Sequence, residues 1–310
     1  MRHRRWLGPA LVLAVLAMLA AGVAATPAAP ARPYVLVLGI AQDGGIPQAG
    51  CRKSCCTSGR HEDVASLALV DPAARRWWLF DATPDFRAQL ARVAAAAPAC
   101  SLAGIFLTHA HIGHYTGLMH LGREAMGAHG VPVWAMPRMT EFLSGNGPWD
   151  QLVKLHNIEL QPLEADTLVS LGDSLSVTPF RVPHRDEYSE TVGFRIASGR
   201  GEVVFVPDID KWERWDRDVG TLVAHASAAY LDGTFFDGNE LPGRDMSEIP
   251  HPYIVESLAR FTSLPAAVRG RIHFIHFNHT NRAAIAGTAE RARVEAAGCR
   301  VARAGERTGL

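Results

Sequence analysis

The segment Leu107-Thr108-His109-Ala110-His111-Ile112-Gly113-His114-Tyr115-Thr116-Gly117 constrains this chain more than any other part of it. Three imidazoles within six residues follow an apolar run at 105–108 of strand character. In an apolar core they would be costly, because each ring nitrogen needs a partner. They are what a metal site requires: neutral imidazole is the commonest protein ligand, and zinc takes its nitrogen donors at about 2.0–2.1 Å. In an extended stretch His109 and His111 point the same way, so two nitrogens can meet one ion. Gly113 eases a turn, after which His114 can face a second ion nearby. A set of surface or hydrogen-bonded core histidines is the alternative; it suits a lone histidine better than this spacing.

The flanking sequence reads as strands with interspersed helices. Apolar, β-rich runs predict strands at 34–40, 66–70, 76–80, 105–108, 131–135, 174–182, 192–196, 202–206, 228–232 and 271–277. Helices are expected at 84–96, 117–126, 212–225, 251–261 and 282–297, the first opened by Pro84 near its first turn. Such a mixture fits an α+β layered sandwich with helices outside and sheets inside. The polar residues of interest fall at strand ends. Trp134, Trp149, Trp212 and Trp215 are expected mostly in the core rather than lining a pocket.

At 310 residues, 48% hydrophobic and 20% charged, the chain can bury one full core. Its 31 basic and 31 acidic side chains cancel, which gives no electrostatic footprint for nucleic acid and says nothing further about substrate; the partner expected is a small-molecule substrate. Residues 1–25 read as a signal peptide, with Arg2, Arg4 and Arg5 before an apolar run at 11–21 and small residues before Thr26. Residues 26–33 form an Ala/Pro spacer, and 34–310 the folded domain. Export to the periplasm or medium follows, with no stable membrane span after cleavage; an uncleaved membrane anchor is the alternative. Five cysteines, an odd number, occur in the mature part. Cys51, Cys55 and Cys56 share one tight loop and suit either most of a structural zinc site or a disulfide. Cys100 and Cys299 read as buried residues.

The histidine segment resembles the His-x-His-x-Asp-His signature of the metallo-β-lactamase superfamily, with Gly113 where the aspartate usually stands. Further elements follow in that superfamily's order: Pro183-His184-Arg185-Asp186 after a strand, Val206-Pro207-Asp208 at a strand end, and Ile275-His276-Phe277-Asn278-His279. The opening Leu38-Gly39-Ile40-Ala41-Gln42-Asp43-Gly44-Gly45-Ile46-Pro47-Gln48, with the cysteines after it, is similar to the pyrroloquinoline-quinone biosynthesis protein B branch. The resemblance spans residues 34–310 and implies a four-layer αββα sandwich. It also implies one metal position of His109, His111 and His184, and another of His114 and His276, with Asp208 between them.

His276 is preferred over His273 and His279 because it shares a strand face with Asn278. Asp210 reads as a helix N-cap. Asp186, Asn278 and Asp43 are candidates to orient imidazoles. His251, and the loop Asp232-Gly233-Thr234, stand either beside the pocket or as plain structure. The cofactor implied is one or two divalent metal ions, zinc first and iron as the alternative. The chemistry implied is hydrolysis of a small ester-, amide- or phosphoester-like substrate by water activated at the metal, with Asp208 and His114 in catalytic roles. Gly113 removes a ligand and a proton-handling group, which weakens the second position. Two other readings stay open: a mononuclear iron oxidoreductase, and a non-catalytic metal- or cofactor-binding protein.

Overall fold

The first strand is buried on both faces, and that fixes the layering. In β1 (Tyr34–Gly39) the odd residues Val35 and Val37 join one apolar cluster, while Leu36 and Leu38 join another. The same alternation divides Leu67 and Leu69 from Ala68 and Val70 in β2 (Ser66–Asp71), and Trp78 and Phe80 from Trp77 and Leu79 in β3 (Arg76–Phe80). A strand with two buried faces needs a layer on each side. These features come from a computed structural model that describes residues 32–172 and 174–310. The signal-peptide reading and nearly all of the spacer lie outside those residues. Arg32–Leu310 form one compact unit.

The remaining strands are β4 (Ser101–Phe106), β5 (Val131–Ala135), β6 (Ile158–Pro162), β7 (Val169–Gly172), β8 (Leu175–Arg181), β9 (Val192–Ala197), β10 (Glu202–Val206), β11 (Ala228–Asp232), β12 (Ile272–Ile275), β13 (Arg300–Val301) and β14 (Arg307–Gly309). They form two seven-stranded sheets, ordered β14-β1-β2-β3-β4-β5-β6 and β13-β12-β11-β10-β9-β8-β7. Read from β14 and from β7, both sheets run through three antiparallel pairings and then three parallel ones.

Nine α-helices are described: α1 (Ser54–Thr57), α2 (Phe86–Ala96), α3 (Ile112–Tyr115), α4 (Pro137–Gly145), α5 (Trp149–Lys154), α6 (Val219–Val223), α7 (Ile254–Phe261), α8 (Ala266–Arg269) and α9 (Ala289–Ala296). Phe86 and Val93 of α2, Met139 and Leu143 of α4, and Leu152 of α5 close over the outer face of the first sheet. Leu222 of α6, Leu258 and Phe261 of α7 and Val294 of α9 pack with the second. The result is helix, sheet, sheet, helix, the sandwich expected. Between the sheets Phe80 stacks on Phe106 at 5.2 Å and meets Phe194 edge-on at 5.4 Å. Truncating such a ring costs about 3–5 kcal/mol. Trp212 and Trp215 are buried, as expected of core residues.

Several expected helices are shorter. The 212–225 stretch is a 3₁₀ turn at Trp212–Arg214, then a fresh start at Asp218, whose carboxylate accepts the Thr221 N–H at 2.7 Å and caps α6. The 282–297 stretch breaks at Gly287 (φ +79°) and restarts behind the Thr288 cap. The 117–126 stretch is 3₁₀ over Thr116–Leu121. Among the described residues no helix is long and apolar enough to cross a membrane.

The topology gathers strand ends. β3 and β4 are parallel, as are β10, β11 and β12, and β1 and β8 stand two antiparallel steps from those sets, so they run with them. Loops carrying Asp43, Asp81, His109, His184, Asp208 and His276, and the end of β11 at Asp232, therefore lie at one edge of the sheets, where open α/β sheets place their ligands.

Candidate metal centre

Asp81 and Thr108 make the floor of this edge. Phe80 pairs with Phe106, so the two residues leave adjacent strands side by side. Asp81 Oδ1 accepts the Thr108 backbone N–H at 2.8 Å, and Oδ2 accepts the Thr108 hydroxyl at 2.9 Å. With its proton committed, the Thr108 oxygen accepts from His109 Nδ1 at 2.9 Å. Asp81 Oδ2 also accepts from His114 Nδ1 at 2.7 Å.

The same logic repeats around the site. Asp210 Oδ1 accepts from His184 Nδ1 at 3.1 Å, and Glu187 Oε2 from His111 Nε2 at 3.1 Å. Thr234 donates to Asp232 Oδ1 at 2.7 Å and accepts from His276 Nδ1 at 3.0 Å. Each of five imidazoles thus spends one nitrogen as a donor on its outer side. The other is left as a lone pair facing inward.

Those lone pairs converge. His111 Nδ1 lies 2.9 Å from His109 Nε2 and 3.2 Å from His184 Nε2. Asp208 Oδ2 lies 3.4 Å from His109 Nε2, 3.2 Å from His184 Nε2 and 4.0 Å from His111 Nδ1. Tetrahedral zinc with nitrogen and oxygen bonds of about 2.0–2.1 Å separates its donors by about 3.4 Å, inside this range. Lone pairs this close repel unless positive charge sits between them.

Beside this set, His114 Nε2 lies 3.3 Å from Asp43 Oδ1, and His276 Nε2 lies 3.8 Å from the same oxygen. Asp208 Oδ2 is 3.8 Å from His114 Nε2, so one carboxylate oxygen borders both positions. His114 Nε2, His276 Nε2, Asp43 Oδ1 and Asp208 Oδ1 are all buried without a hydrogen-bond partner. Three of these atoms, on Asp43, His114 and His276, face one another; leaving them unpaired is expensive, and a cation satisfies them together. The residues fit one or two divalent ions.

Electrostatics agree. Burial opposes charge on His184, yet Asp208 and Asp210 outweigh it and push the imidazole up to about 10. Burial, with His114 adding to it, holds His109 well below the usual histidine range and therefore neutral. Burial would raise Asp208, but His184, His251 and His276 hold it well below the usual carboxylate range. The buried carboxylates thus favour positive charge at the centre, which either protons on the imidazoles or a bound cation in their place supplies.

A third group borders the same oxygens. His251 Nδ1 donates to Asp232 Oδ2 at 2.9 Å. It also lies 3.2 Å from Asp208 Oδ1, an ionic approach rather than a directed hydrogen bond. Its ring stands 5.6 Å from that of His184 and 6.3 Å from that of His276, close to both positions.

The structure thus unites His109, His111, His184 and Asp208, and sets His114 and His276 beside them with Asp43. Five details correct the sequence reading. His276 is not on a strand face; β12 ends at Ile275 and His276 turns in at φ +67°. His273 pairs instead with Glu306 at 2.8 Å. Asp210 orients His184 rather than capping a helix. Asp186 accepts from Thr191, and Asn278 donates to Gln42, so neither holds an imidazole. Cys100 is only partly buried, whereas Cys299 is buried.

No disulfide joins Cys51, Cys55 and Cys56. Their sulfurs are 4.0 Å (Cys51–Cys55) and 3.9 Å (Cys55–Cys56) apart. A disulfide needs about 2.05 Å, whereas tetrahedral zinc–sulfur bonds of about 2.3 Å set sulfurs about 3.8 Å apart. A candidate fourth donor is His279, a ring nitrogen of which lies within 4.8 Å of the three sulfurs; its Nδ1 is buried and unpartnered. Of the two alternatives for this loop, the geometry matches the metal site.

A family profile described as a beta-lactamase superfamily domain matches residues 76–296. The chain belongs to that superfamily. Within it, coenzyme PQQ synthesis protein B of Methylorubrum extorquens (strain PA1) is 28% identical over 303 residues, covering 88% of this chain and 98% of the relative. The same protein of Ruegeria pomeroyi is 28% identical over 300 residues, covering 87% and 98%. A crystal structure of Zn²⁺-bound PqqB from Methylobacterium extorquens superposes with TM-score 0.75 at 26% identity, covering 89% of this chain and all of that one. A diphosphatase of the PhnP family shares the fold, with TM-score 0.63 at 20% identity, covering 90% and 98%. The superfamily fold and the likeness to PqqB are as the sequence motifs implied.

Sequence reasoning missed Asp81 and Glu187 altogether, gave Thr108 no role, held Asp232-Gly233-Thr234 only as a loop beside the pocket or a plain turn, and weighed His279 only as a competitor of His276. The usable signal was position: a polar residue directly after an apolar strand, as Asp81 follows Trp77-Trp78-Leu79-Phe80, is a candidate for the same edge as the histidines.

Proposed function

We propose that this superfamily member is a metal-dependent hydrolase of a small ester-, amide- or phosphoester-like substrate, holding up to two divalent ions, zinc first. The observation that carries the reading is the five inward lone pairs with Asp208 Oδ2 between the two positions. Bound divalent ions supply a water acidified toward about pH 7 and polarise the oxygen of the bond to be cut.

The protein's own groups do the rest. Asp81, Asp210, Glu187 and Thr234 fix the imidazole tautomers, so ion binding needs no proton rearrangement on the rings. His251, held by Asp232 and standing beside both positions, hands a proton to the leaving group. At the mouth, exposed Ile112 follows His111, and exposed Tyr188 lies 5.4 Å from Phe142. Arg138 pins this loop through the carbonyls of Asp186 and Glu187, at 2.9 and 3.2 Å. An apolar rim over a charged floor suits a small organic substrate.

A second reading, an oxidative step that uses iron, rests on the donor set, because the histidines with Asp208 can supply two imidazoles and a carboxylate with open positions. One assay separates them. Zinc-loaded protein that cleaves p-nitrophenyl esters or bis(p-nitrophenyl) phosphate, and loses this on chelation, supports hydrolysis. Iron-dependent oxygen uptake without hydrolysis supports the second reading and overturns the first. The leader-like residues 1–25 support activity outside the cytoplasm; intact-mass analysis from an exporting host, showing a chain beginning at Thr26, is the expected result.

A further inference from the structure

Gly113 stands where the superfamily signature carries an aspartate, and the structure shows what fills the space. A Cβ placed on Gly113 would lie 2.1 Å from Asp43 Oδ1, 2.6 Å from Asp43 Cα and 2.9 Å from Asp43 Cγ. Each separation is far inside van der Waals contact, and one involves backbone. The carboxylate of Asp43 therefore occupies the volume that any side chain at 113 would claim. Its Oδ1 is buried without a partner and faces the equally unpartnered Nε2 atoms of His114 and His276.

The delivery of Asp43 is built in. The loop after β1 is stitched to the segment after β12: the Gln42 N–H donates to the Phe277 carbonyl at 2.8 Å, the Phe277 N–H to the Ile40 carbonyl at 2.8 Å, and Asn278 Nδ2 to Gln42 Oε1 at 2.7 Å. Asp43 and His276, 233 positions apart in the numbering, sit on one hydrogen-bonded pair of segments. Neither can shift without the other.

We infer that Asp43 is the carboxylate ligand of the second metal position, brought from the opposite end of the chain to replace the aspartate absent at 113, and that residue 113 is glycine because Asp43 needs its space. This rests on the metal-centre reading. It restores to the second position the anionic ligand that the motif lacks, and it makes positions 43 and 113 exchangeable as a pair.

Metal content per chain, by mass spectrometry of zinc-equilibrated and desalted full-length protein, tests it. Asp43→Ala should lose one ion relative to wild type. Asp43→Asn, which keeps the shape, should lose the same ion, so misfolding does not account for the loss. Gly113→Asp alone should clash and fall in thermal midpoint. The double variant Asp43→Gly/Gly113→Asp should regain both the ion and the midpoint. Asp43→Ala and Asp43→Asn that keep every ion overturn the inference, and so does a double variant that stays one ion short. His109→Ala separates the two levels: if it too keeps the wild-type ion content, the metal-centre reading itself fails.

Discussion

Asp81 Oδ2 sits 2.7 Å from His114 Nδ1, with both side chains wholly buried. The same carboxylate, through the Thr108 hydroxyl, sets the ring of His109. One aspartate outside the metal positions thus orients a ligand of each, and it does so from φ +65°, a backbone conformation costly for a branched or bulky residue.

Asp81→Ala should weaken both metal positions by roughly 10–100-fold, the usual effect of removing the partner behind a ligating histidine. It should also lower the thermal midpoint, because the Thr108 N–H loses its acceptor. Competition with a zinc-sensitive dye measures the first effect and calorimetry the second. Unchanged affinity would remove Asp81 from the account.

His251→Ala should leave metal content at the wild-type level and lower hydrolysis by about 10²–10⁴-fold, the range for a positioned proton donor. The loss should be smaller for substrates with a good leaving group such as p-nitrophenolate, which needs no proton. Equal losses on good and poor leaving groups would assign His251 a structural role.

The loop cysteines make a separate prediction. One zinc per chain should persist in His109→Ala and disappear in His279→Ala, with Cys51, Cys55 and Cys56 then open to thiol reagents under native conditions. Since the loop of Asp43 runs directly into these cysteines, the same variant should also weaken the second position. Thiols that react equally fast in wild type and His279→Ala would contradict the four-ligand site.

Legibility in the sequence followed distance along the chain. His109, His111 and His114 were readable because a strand end and a glycine place three rings together within six residues. His184, Asp208 and His276 were reachable only through resemblance, each being a single residue at a strand end. Asp81 and Asp210 had no local signal, since their partners lie 33 and 26 residues away and only the pairing of β3 with β4, or the folding back of the loop after β10, brings them in. His279 was assigned against His276 as a competitor, whereas the turn at His276 lets both serve, one at each site. Helix lengths were overread wherever a cap restarted the chain, as at Asp218 and Thr288.

Glu240 gives a pH signature apart from the metal. Burial pushes its carboxyl up to about 7 from 4.5, the Phe236 N–H and Thr280 hydroxyl offsetting only part of this. A carboxyl raised in the folded state keeps its proton where the unfolded chain has released it. Its contribution to stability is therefore greatest below about pH 4.5, falls as pH climbs to 7, and stays lower above. The loss is at most roughly 3 kcal/mol, from about 1.36 kcal/mol per unit. Urea midpoints of Glu240→Gln should lack this decline between pH 5 and 7; a slope equal to wild type would contradict it.

Anomalous diffraction at the zinc edge, from crystals equilibrated with zinc, addresses the central claim most directly. The expected result is a peak enclosed by His109 Nε2, His111 Nδ1, His184 Nε2 and Asp208 Oδ2, with a second beside Asp43, His114 and His276. A map with zinc only at the cysteine loop, and those histidines still turned inward on nothing, would contradict it.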